Sequence, residues 1–484
     1  MKVQNRKIDL RTVLVLLICS ILLTSFATYI VFSNPDLSYT TIIQEGSMNL
    51  GISFSIFRDG STYYARNGES GAVTSSGNAT YLISLCIENA ENGTVNLQTD
   101  YYDLDSPIVI SHSVKLVGAG HTNDVPTNMP DYYPTKLYGT VLRSSSAINM
   151  IEIQGAVFNV EIRDIGIEFT GESTGHGIKA YNPDAPTEKS YGLTYGVFEN
   201  IAVLNNDGTH YAFYFENFQH LVCNLLRSWG GAFLYLKGND NLIQYGNSVF
   251  SECYTYAYKT TSLSIMEVTT SGVWTGNWTN LMQFNRLQLN CFGSAPRCLY
   301  LHNVRLTTFV ALEIETTLAE LIKIDEHSLD IVFINPFFWS THENSIIWAD
   351  SDCTAISFIE GWFDIASIQL KAVPNLLLNP HWLSGYRPVF YEPTNCIIFD
   401  NYTIATQSCN RNGVVSEGED HIDIFFTPSP TFNQTDTNYG VVVTPNWNTT
   451  VWVTDKATSG FTINFGTNAP ANAKFDYFIF RRIT

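Results

Sequence analysis

The 484-residue chain has few charged side chains, and few of those are basic. Charged residues make up 15% of the sequence, and 26 basic residues stand against 45 acidic ones, giving a formal net charge of −19. Binding to DNA or RNA needs a basic surface to meet phosphate, so this balance argues against a nucleic-acid partner. The chain has no Cys-x-x-Cys pair, no His-rich tract and no Gly-x-Ser-x-Gly motif, so a zinc site and a serine-nucleophile elbow lack support.

The basic residues are concentrated at the N-terminus. Four of them lie within positions 1–11 and are followed by Thr12–Phe32, an uncharged apolar run of 21 residues. About 20 apolar residues span a bilayer as a helix, and flanking basic residues stay cytoplasmic. We therefore expect a cytoplasmic segment 1–11, a single-pass transmembrane signal anchor 12–32 and a stalk 33–54. A cleavage site at Ser25–Ala27 would instead release a secreted protein.

Either alternative places the rest of the chain outside the cell, and two further features agree with an extracellular glycoprotein. Eight cysteines remain beyond Cys19, and two close pairs, Cys291/Cys298 and Cys396/Cys409, are candidates for short disulfide loops. Six Asn-x-Ser/Thr sequons are present. They begin at Asn78, Asn92, Asn277, Asn401, Asn433 and Asn448.

From residue 94 onward the chain repeats short strands of alternating apolar residues every 20 to 40 positions. A strand this short cannot bury its faces alone, so stacking of successive units into a coil is expected. No helical stretch recurs between the strands, which argues against an α/β fold. A helix within 79–92 would cap the open end of the stack. Asn residues recur at the bends and predict a hydrogen-bonded ladder inside the coil. They are Asn200, Asn224, Asn247, Asn285, Asn335 and Asn379.

The predicted helix with the KLVGAG turn at 115–120 resembles the opening of pectate-lyase-like proteins, and the FRDGSTYYARNGESG hairpin resembles a lead-in of archaeal surface and phage tailspike-like β-helix proteins. The resemblance implies an all-β, right-handed, single-stranded parallel β-helix over 55–390 and specifies no activity. Residues 391–484 break the repeat and predict a small C-terminal β-sandwich-like domain. Its ending is similar to C-terminal modules of phage and surface fibres, which implies adhesion or a homotrimer.

Alternate residues of each strand point outward, so aligned units predict two outward columns. The first contains Phe250, Gln288, Glu313, Phe337 and Trp362, and the second contains Glu252, Asn290, Glu315, Trp339 and Asp364; one unit earlier adds Arg227 and Trp229. Aromatic rings beside carboxylates are typical of sugar-binding surfaces. We assign carbohydrate binding to Arg227, Trp229, Glu252, Trp339 and Trp362, and catalysis to Glu313, Glu315 and Asp364.

The sequence thus predicts a polysaccharide-binding protein and leaves open whether it cleaves its ligand; an enzyme of this kind would be a glycoside hydrolase or a lyase. Two rungs of the coil, about 9.6 Å, would separate Glu315 from Asp364, near the upper limit for an inverting glycosidase. A lyase would need Ca²⁺ and an Arg base, with Arg163, Asp164 or Arg286 as candidates; His176 in Gly-His-Gly is a weaker catalytic candidate. The alternative is a non-catalytic, trimeric adhesin or cell-envelope protein whose outward aromatics pack against a partner.

Overall fold

The computed structural model describes residues 52–124, 134–172, 174–183, 192–238, 245–270, 279–371, 375–378, 380–382, 389–391, 396–399, 413–425, 439–457 and 460–481. The predicted segments 1–11 and 12–32, and the stalk up to residue 51, lie outside these residues. Within the described part of the chain, no helix has the length and apolar character to cross a membrane.

The chain opens with antiparallel hairpins and a capping helix. Strands Ile52–Asp59, Thr62–Asn67 and Val73–Ser76 pair antiparallel, and Gly60 closes the first turn at a φ of 61°, as the Asp-Gly pair predicts. The helix Ala79–Glu88 follows. Its N-cap, Asn78, accepts a hydrogen bond from the Tyr81 backbone N–H at 2.9 Å and donates to Asp105 at 2.6 Å, so the amide of this sequon is already engaged.

The apolar face of the helix covers the end of a right-handed parallel β-helix, as the sequence predicts. Leu82, Ile83, Cys86 and Ile87 are buried and belong to the same hydrophobic cluster as the interior of the coil. Without this helix, water would reach the apolar interior of the first rung, because that rung has no further rung stacked on its outer side.

Each rung of the coil, meaning one complete turn of the chain, contributes a strand to each of three parallel sheets, named A, B and C in chain order. Three long strands, Glu161–Phe169, Val197–Glu216 and Val222–Gly238, bend from one sheet into the next. The remaining strands belong to one sheet each.

Sheet A also contains Thr94–Leu97, Lys115–Gly118, Tyr245–Ser251, Thr279–Asn285, Arg305–Val310, Leu329–Ile334, Thr354–Ile359, Asn375–Leu378 and Cys396–Phe399. Sheet B contains Asp100–Asp103, Leu137–Ser144, Tyr254–Ala257, Gln288–Cys291, Glu313–Thr316, Phe337–Ser340, Trp362–Asp364 and His381–Trp382. Sheet C contains Ile108–Ile110, Ile151–Gln154, Ile178–Tyr181, Met266–Thr270, Leu299–His302, Glu320–Asp325, Ile346–Ala349, Ser367–Leu370 and Val389–Tyr391. Two small additions are His121–Asn123, antiparallel to Leu137–Ser144, and the pair Val157–Phe158 with Leu193–Thr194.

A stack of phenylalanine rings runs through the interior behind sheet A. Phe250, Phe284, Phe309, Phe333 and Phe358 occupy the same inward position in five successive rungs. Neighbouring ring centroids lie 4.9, 4.8, 4.9 and 4.7 Å apart, with interplanar angles of at most 18°. The spacing equals the distance between paired strands, so in-register pairing and ring stacking reinforce each other.

In eight successive rungs, one residue in the left-handed conformation turns the chain from sheet A into sheet B. Its φ lies between 49° and 59° in all eight examples, which are Asp164, Asn200, Leu225, Glu252, Arg286, Ala311, Asn335 and Glu360. Asn and Asp tolerate this conformation better than most residues, which explains part of the Asn recurrence. The predicted single Asn ladder inside the coil is wrong, because Asn200 and Asn335 occupy this bend, Asn247 another bend, and Asn224 and Asn285 the outward end of sheet A strands. Asn379 lies outside the described residues.

The last described parallel strand is Cys396–Phe399, and antiparallel pairing begins at Gly413–Val414. One three-stranded sheet has the order Gly413–Val414, Lys474–Arg481, Tyr439–Pro445; a second has the order His421–Phe425, Gly460–Phe465, Val451–Ala457. Residues of both sheets share one apolar core that includes Ile463, Phe465 and Phe475. The C-terminal domain is therefore sandwich-like, as predicted.

Six cysteines of the described residues are buried free thiols, including Cys291 and Cys298. The Cys298 thiol is in hydrogen-bond contact with Cys291, so the two are neighbours without a covalent bond. Asn92 and Asn448 are exposed sequons. Asn277, Asn401, Asn433 and Cys409 lie outside the described part of the chain, as does the side chain of Cys396.

The phenylalanine stack leads to a stability prediction. Phe309 is fully buried between two other rings, so Phe309→Ala removes contacts on both sides and leaves a cavity. We expect the free energy of unfolding to fall by about 3–5 kcal/mol, measured by denaturant titration. The matched control is Phe158→Ala, because Phe158 is 46% exposed; its effect should stay within about 0.5 kcal/mol. Equal effects of the two substitutions would contradict the stacked-core description.

Candidate functional site

The outward face of sheet B carries two columns of side chains fixed by strand register. Gln288, Glu313, Phe337 and Trp362 are paired in succession, and so are Asn290, Glu315, Trp339 and Asp364. The residues between them, such as Ile314 and Phe338, are fully buried in the coil. The structure therefore brings eight of the ten residues that the sequence placed in these columns to one face, together with Arg227; their binding and catalytic roles stay predictions.

The alignment fails at the rung that contains Phe250 and Glu252. Tyr254 and Tyr256 pair with Gln288 and Asn290. The tyrosines therefore occupy the column positions that the sequence alignment gave to Phe250 and Glu252. Phe250 instead belongs to the buried ring stack, and Glu252 lies at the left-handed bend. There its carboxylate pairs with the exposed Arg286 at 2.6 Å, so Glu252 is not on the stripe.

The bend provides the signal that the sequence alignment missed. The column begins two residues after each bend, and bends at Arg286, Ala311, Asn335 and Glu360 are 24 or 25 residues apart. The preceding interval, from Glu252 to Arg286, is longer by nine or ten residues and hides the repeat. An alignment on the bend residue rather than on an apolar residue would have found Tyr254.

Trp229 and Arg227 lie in the predicted columns but are not free at the surface. Trp229 pairs with Tyr256 and is 5% exposed. It packs in a small outer cluster with Leu137 and Leu204, so its ring face is covered and cannot stack on a sugar in this conformation. Arg227 is half-buried and donates a hydrogen bond to the Asn200 side chain at 3.4 Å.

Three rings form the floor of the face at its C-terminal rungs. Phe337 and Trp339 are two residues apart on one strand, and Trp362 lies beside Phe337 on the next strand. Trp362 is 44% exposed, and the other two rings are half-buried. Glu315 precedes Trp339 in its column and Asp364 follows it, so an indole separates the two carboxylates. We name Glu313, Glu315, Phe337, Trp339, Trp362 and Asp364 the sheet B stripe.

Glu313 is the stripe carboxylate with a clear electrostatic perturbation. Burial raises its pKa, and the neighbouring Glu315 charge raises it further. A hydrogen bond from Gln288 Nε2 to Glu313 Oε1 at 2.6 Å opposes both effects. The two glutamates are two residues apart on one strand, so their Cα atoms are roughly 6.6 Å apart. A carboxyl group that holds its proton beside an ionisable partner can act as a general acid.

The other candidates from the sequence are engaged elsewhere. Arg163 pairs with Glu161 at 2.7 Å, and Asp164 accepts a hydrogen bond from Asn200 at 2.7 Å. Burial lowers the pKa of His176 to about 4, and its ring packs on Tyr214 of sheet C, away from the stripe. Within the described residues, no group of three or more His, Cys, Asp or Glu side chains is arranged to hold a metal ion.

The chain matches no protein-family model, and no characterised protein shows significant sequence similarity to it. Among solved structures, it is similar to the DFA-IIIase from Arthrobacter chlorophenolicus A6, with 10% identity and a TM-score of 0.36 over 66% of this chain and 89% of that one. It is also similar to tailspike protein 2 from Escherichia coli O157:H7 bacteriophage CAB120, with 12% identity and a TM-score of 0.36 over 83% of this chain and 66% of that one. Tailspike protein 3 of bacteriophage CBA120 gives 9% identity and a TM-score of 0.25.

These similarities are at the level of fold and carry no argument about activity. The assignment to the parallel β-helix class, which the sequence resemblance predicted, follows from the strand pairing itself and is confirmed.

The coupling of the two glutamates can be tested by titration. In Glu315→Gln the pKa of Glu313 should fall, because the neighbouring negative charge is removed. Since the folded-state pKa is raised, the protonated form favours folding, and this contribution is lost as pH rises from the unfolded value through the folded one. Carboxyl ¹³C chemical shifts against pH measure the change. The control is Glu343→Gln, at an exposed site beyond the stripe, which should leave the titration curve of Glu313 unchanged. If Glu315→Gln also left that titration curve unchanged, the coupling would be contradicted.

Proposed function

We propose that the protein binds polysaccharide along the sheet B stripe on the extracellular side of a membrane. The observation that supports binding is the ring floor of Phe337, Trp339 and Trp362, set in two adjacent outward columns and bounded by carboxylates. Rings present apolar faces to pyranose rings, and carboxylates accept hydrogen bonds from sugar hydroxyls. Both kinds of contact repeat at the rung spacing, which suits an extended ligand made of repeating units.

The charge of the stripe indicates a neutral polysaccharide. From Gln288 to Asp364 the two columns contain three carboxylates and no basic side chain. The whole chain is acidic as well, with a formal charge of −19. A polyanion such as a polyuronate would be repelled, and the repulsion would be strongest at low ionic strength. A lyase acting on a uronate would also need positive charge at the substrate carboxylate, and from Gln288 to Asp364 the two columns offer no Lys or Arg for it.

The extracellular location rests on the sequence alone. The proposed anchor 12–32 and the basic segment 1–11 lie outside the described residues, and the alternative of cleavage after Ala27 would give a secreted protein with the same stripe. Ca²⁺ stays a candidate cofactor only for the lyase alternative.

Cleavage is separate from binding, and the stripe carboxylates are one of two candidate centres for it, to be tested against a second candidate centre on sheet C. Glu313 would donate the proton, because it has the raised pKa. Glu315 would activate water, and Asp364 would contact the sugar on the far side of Trp339. Loss of cleavage in Glu313→Gln with binding retained would support this assignment; unchanged cleavage would remove it.

The second candidate function is a non-catalytic adhesin or cell-envelope protein that forms a homotrimer. The observation in its favour is the same exposed aromatic surface, because a large apolar side chain such as Trp362 is also typical of a protein interface. Light scattering separates the two functions. A trimer that dissociates in Trp362→Ala would favour the interface over the glycan site.

The binding proposal predicts the effect of removing the indoles. Trp339→Ala and Trp362→Ala should each weaken binding of a neutral polysaccharide by about tenfold, roughly 1.4 kcal/mol, with the loss measured by affinity electrophoresis of the full-length protein. The control is Trp452→Ala, because Trp452 is exposed at 50%, against 44% for Trp362, but belongs to the C-terminal domain. Equal losses in all three variants, or wild-type binding only to polyanions, would contradict the stripe as the site.

A further inference from the structure

Sheet C presents a second set of outward columns that the sequence did not single out. Strand register aligns one column as Glu152, Lys179, Tyr214, Tyr235, Glu267, Tyr300, Lys323, Trp348 and Gln369. The adjacent column contains Lys237, Thr269, His302 and Asp325. The outward surface of sheet C thus carries adjacent titratable and aromatic side chains. On a typical solvent-exposed sheet surface, charged side chains are separated from one another.

Most carboxylates on this face are fully paired, and Glu267 differs from them. Glu216 accepts a hydrogen bond from Tyr214 at 2.9 Å and pairs with Lys237 at 2.8 Å. Glu267 is half-buried, and within the described part of the chain its hydrogen bond is the one from the Tyr211 hydroxyl at 3.2 Å. Its second carboxyl oxygen accepts no hydrogen bond from the described residues.

His302 stands beside Glu267 in a fixed orientation. Its Nδ1 lies 2.8 Å from Asp325 Oδ1, and its Nε2 is 3.4 Å from the exposed carboxylate of Glu326. The Tyr300 hydroxyl donates to Asp325 Oδ2 at 3.0 Å, and Lys323 pairs with the same oxygen at 2.9 Å. Asp325 is held by three neighbours, so it orients the imidazole and stabilises its protonated form, as a carboxylate does in an Asp–His pair.

The register brings Glu267 and His302 together. Thr269 pairs with His302, and Glu267 pairs with Tyr300, which is two residues before His302. One rung spacing and two residues along a strand place the Cα atoms of Glu267 and His302 about 8 Å apart. Their side chains point outward from the same sheet, and Tyr300 neighbours both, since it pairs with Glu267 and its ring contacts that of His302. A water molecule or a sugar oxygen can be contacted from both sides in such an arrangement.

The electrostatics separate the roles of the two groups. The hydrogen bond to Asp325 raises the pKa of His302, although burial opposes it. Burial raises the pKa of Glu267, while Tyr211, Arg297 and His302 counteract it. The ordinary pKa of glutamate, 4.5, is lower than that of histidine, 6.5, and both pKa values are raised here. Perturbed groups of this kind in one cluster are typical of functional sites.

We propose that Glu267 and His302, with Asp325 as a positioning residue, form an acid–base site on sheet C that hydrolyses a glycosidic bond. The substrate class rests on the proposed function above. Glu267 takes a proton from the attacking water as its oxygen bonds to the anomeric carbon. His302 gives its proton to the leaving glycosidic oxygen as the bond from that oxygen to the anomeric carbon breaks. Proton exchange with solvent then restores both groups, so that one water is consumed and one new reducing end is formed.

The test measures reducing-end release from a panel of neutral polysaccharides by the full-length protein. Glu267→Gln and His302→Asn should each lower kcat at least about 100-fold, with KM changed less than threefold. The matched control is Glu216→Gln, on the same sheet and also bonded to a tyrosine hydroxyl, which should keep wild-type kcat. Tyr211→Phe, which removes only the hydroxyl bonded to Glu267, provides a second variant of minimal structural effect and should shift the acidic limb of the pH profile.

The pH profile tests the positioning role of Asp325. Activity should be bell-shaped, falling below the pKa of Glu267 and above that of His302. Asp325→Asn should move the basic limb to lower pH, because His302 loses the main cause of its raised pKa. The charged and titratable groups that face the pair are Tyr211, Tyr214, Tyr235, Arg297, Tyr300, Lys323, Asp325 and Glu326.

The outcomes distinguish this site from the sheet B stripe. Loss of hydrolysis in Glu267→Gln with glycan binding retained supports the site, and loss of binding in Trp339→Ala concerns the stripe alone. Loss of hydrolysis in Glu313→Gln with Glu267→Gln unaffected would overturn the sheet C site and leave the proposed function intact. No reducing-end release by the wild-type protein from any member of the panel would also overturn it, even where binding is observed.

Discussion

The structure depends on parallel hydrogen bonding between successive rungs in unbroken register. A hydrogen-bonded pair of parallel strands fixes which side chains face inward, because side chains alternate along a strand. A shift by one residue would turn Phe309 and Phe333 out to solvent and bring Gln283 or Thr308 into the core. The buried ring stack and the left-handed bends both oppose such a shift, so the same constraint that builds the core also defines the outward columns.

Much of the fold was accessible from the sequence because its signals are local and repeated. Alternation within each short strand, a turn after it and the recurrence of both predict a coil, and the apolar residues of Ala79–Glu88 predict its cap. The rungs after Arg286 were aligned correctly because their bends recur every 24 or 25 residues. The columns around Glu313 and Trp339 followed from that spacing.

What the sequence did not predict depends on contacts between distant segments. The burial of Trp229 results from Leu137 and neighbouring residues, which lie about ninety positions earlier and reach the outer surface of sheet B through a local hairpin. The shift at Glu252 results from an enlarged turn further along that rung. The sequence does not single out His302, because its partners Asp325 and Glu267 are 23 and 35 positions away and only the register makes them neighbours.

The enlarged rung between Glu252 and Arg286 has a consequence for how such a protein can change. Most of its additional residues fall between sheet C and sheet A: Met266 and Met282 are 16 positions apart, whereas their partners Leu299 and Thr307 are eight apart. The pairing of Tyr254 with Gln288 and of Phe250 with Phe284 nevertheless continues without a shift. An insertion in the loop between two sheets thus leaves the strand pairing within the neighbouring sheets unchanged. Evolution can therefore lengthen or replace the loop at one corner at a time, and so change the loops beside a sheet while the strands of that sheet stay the same.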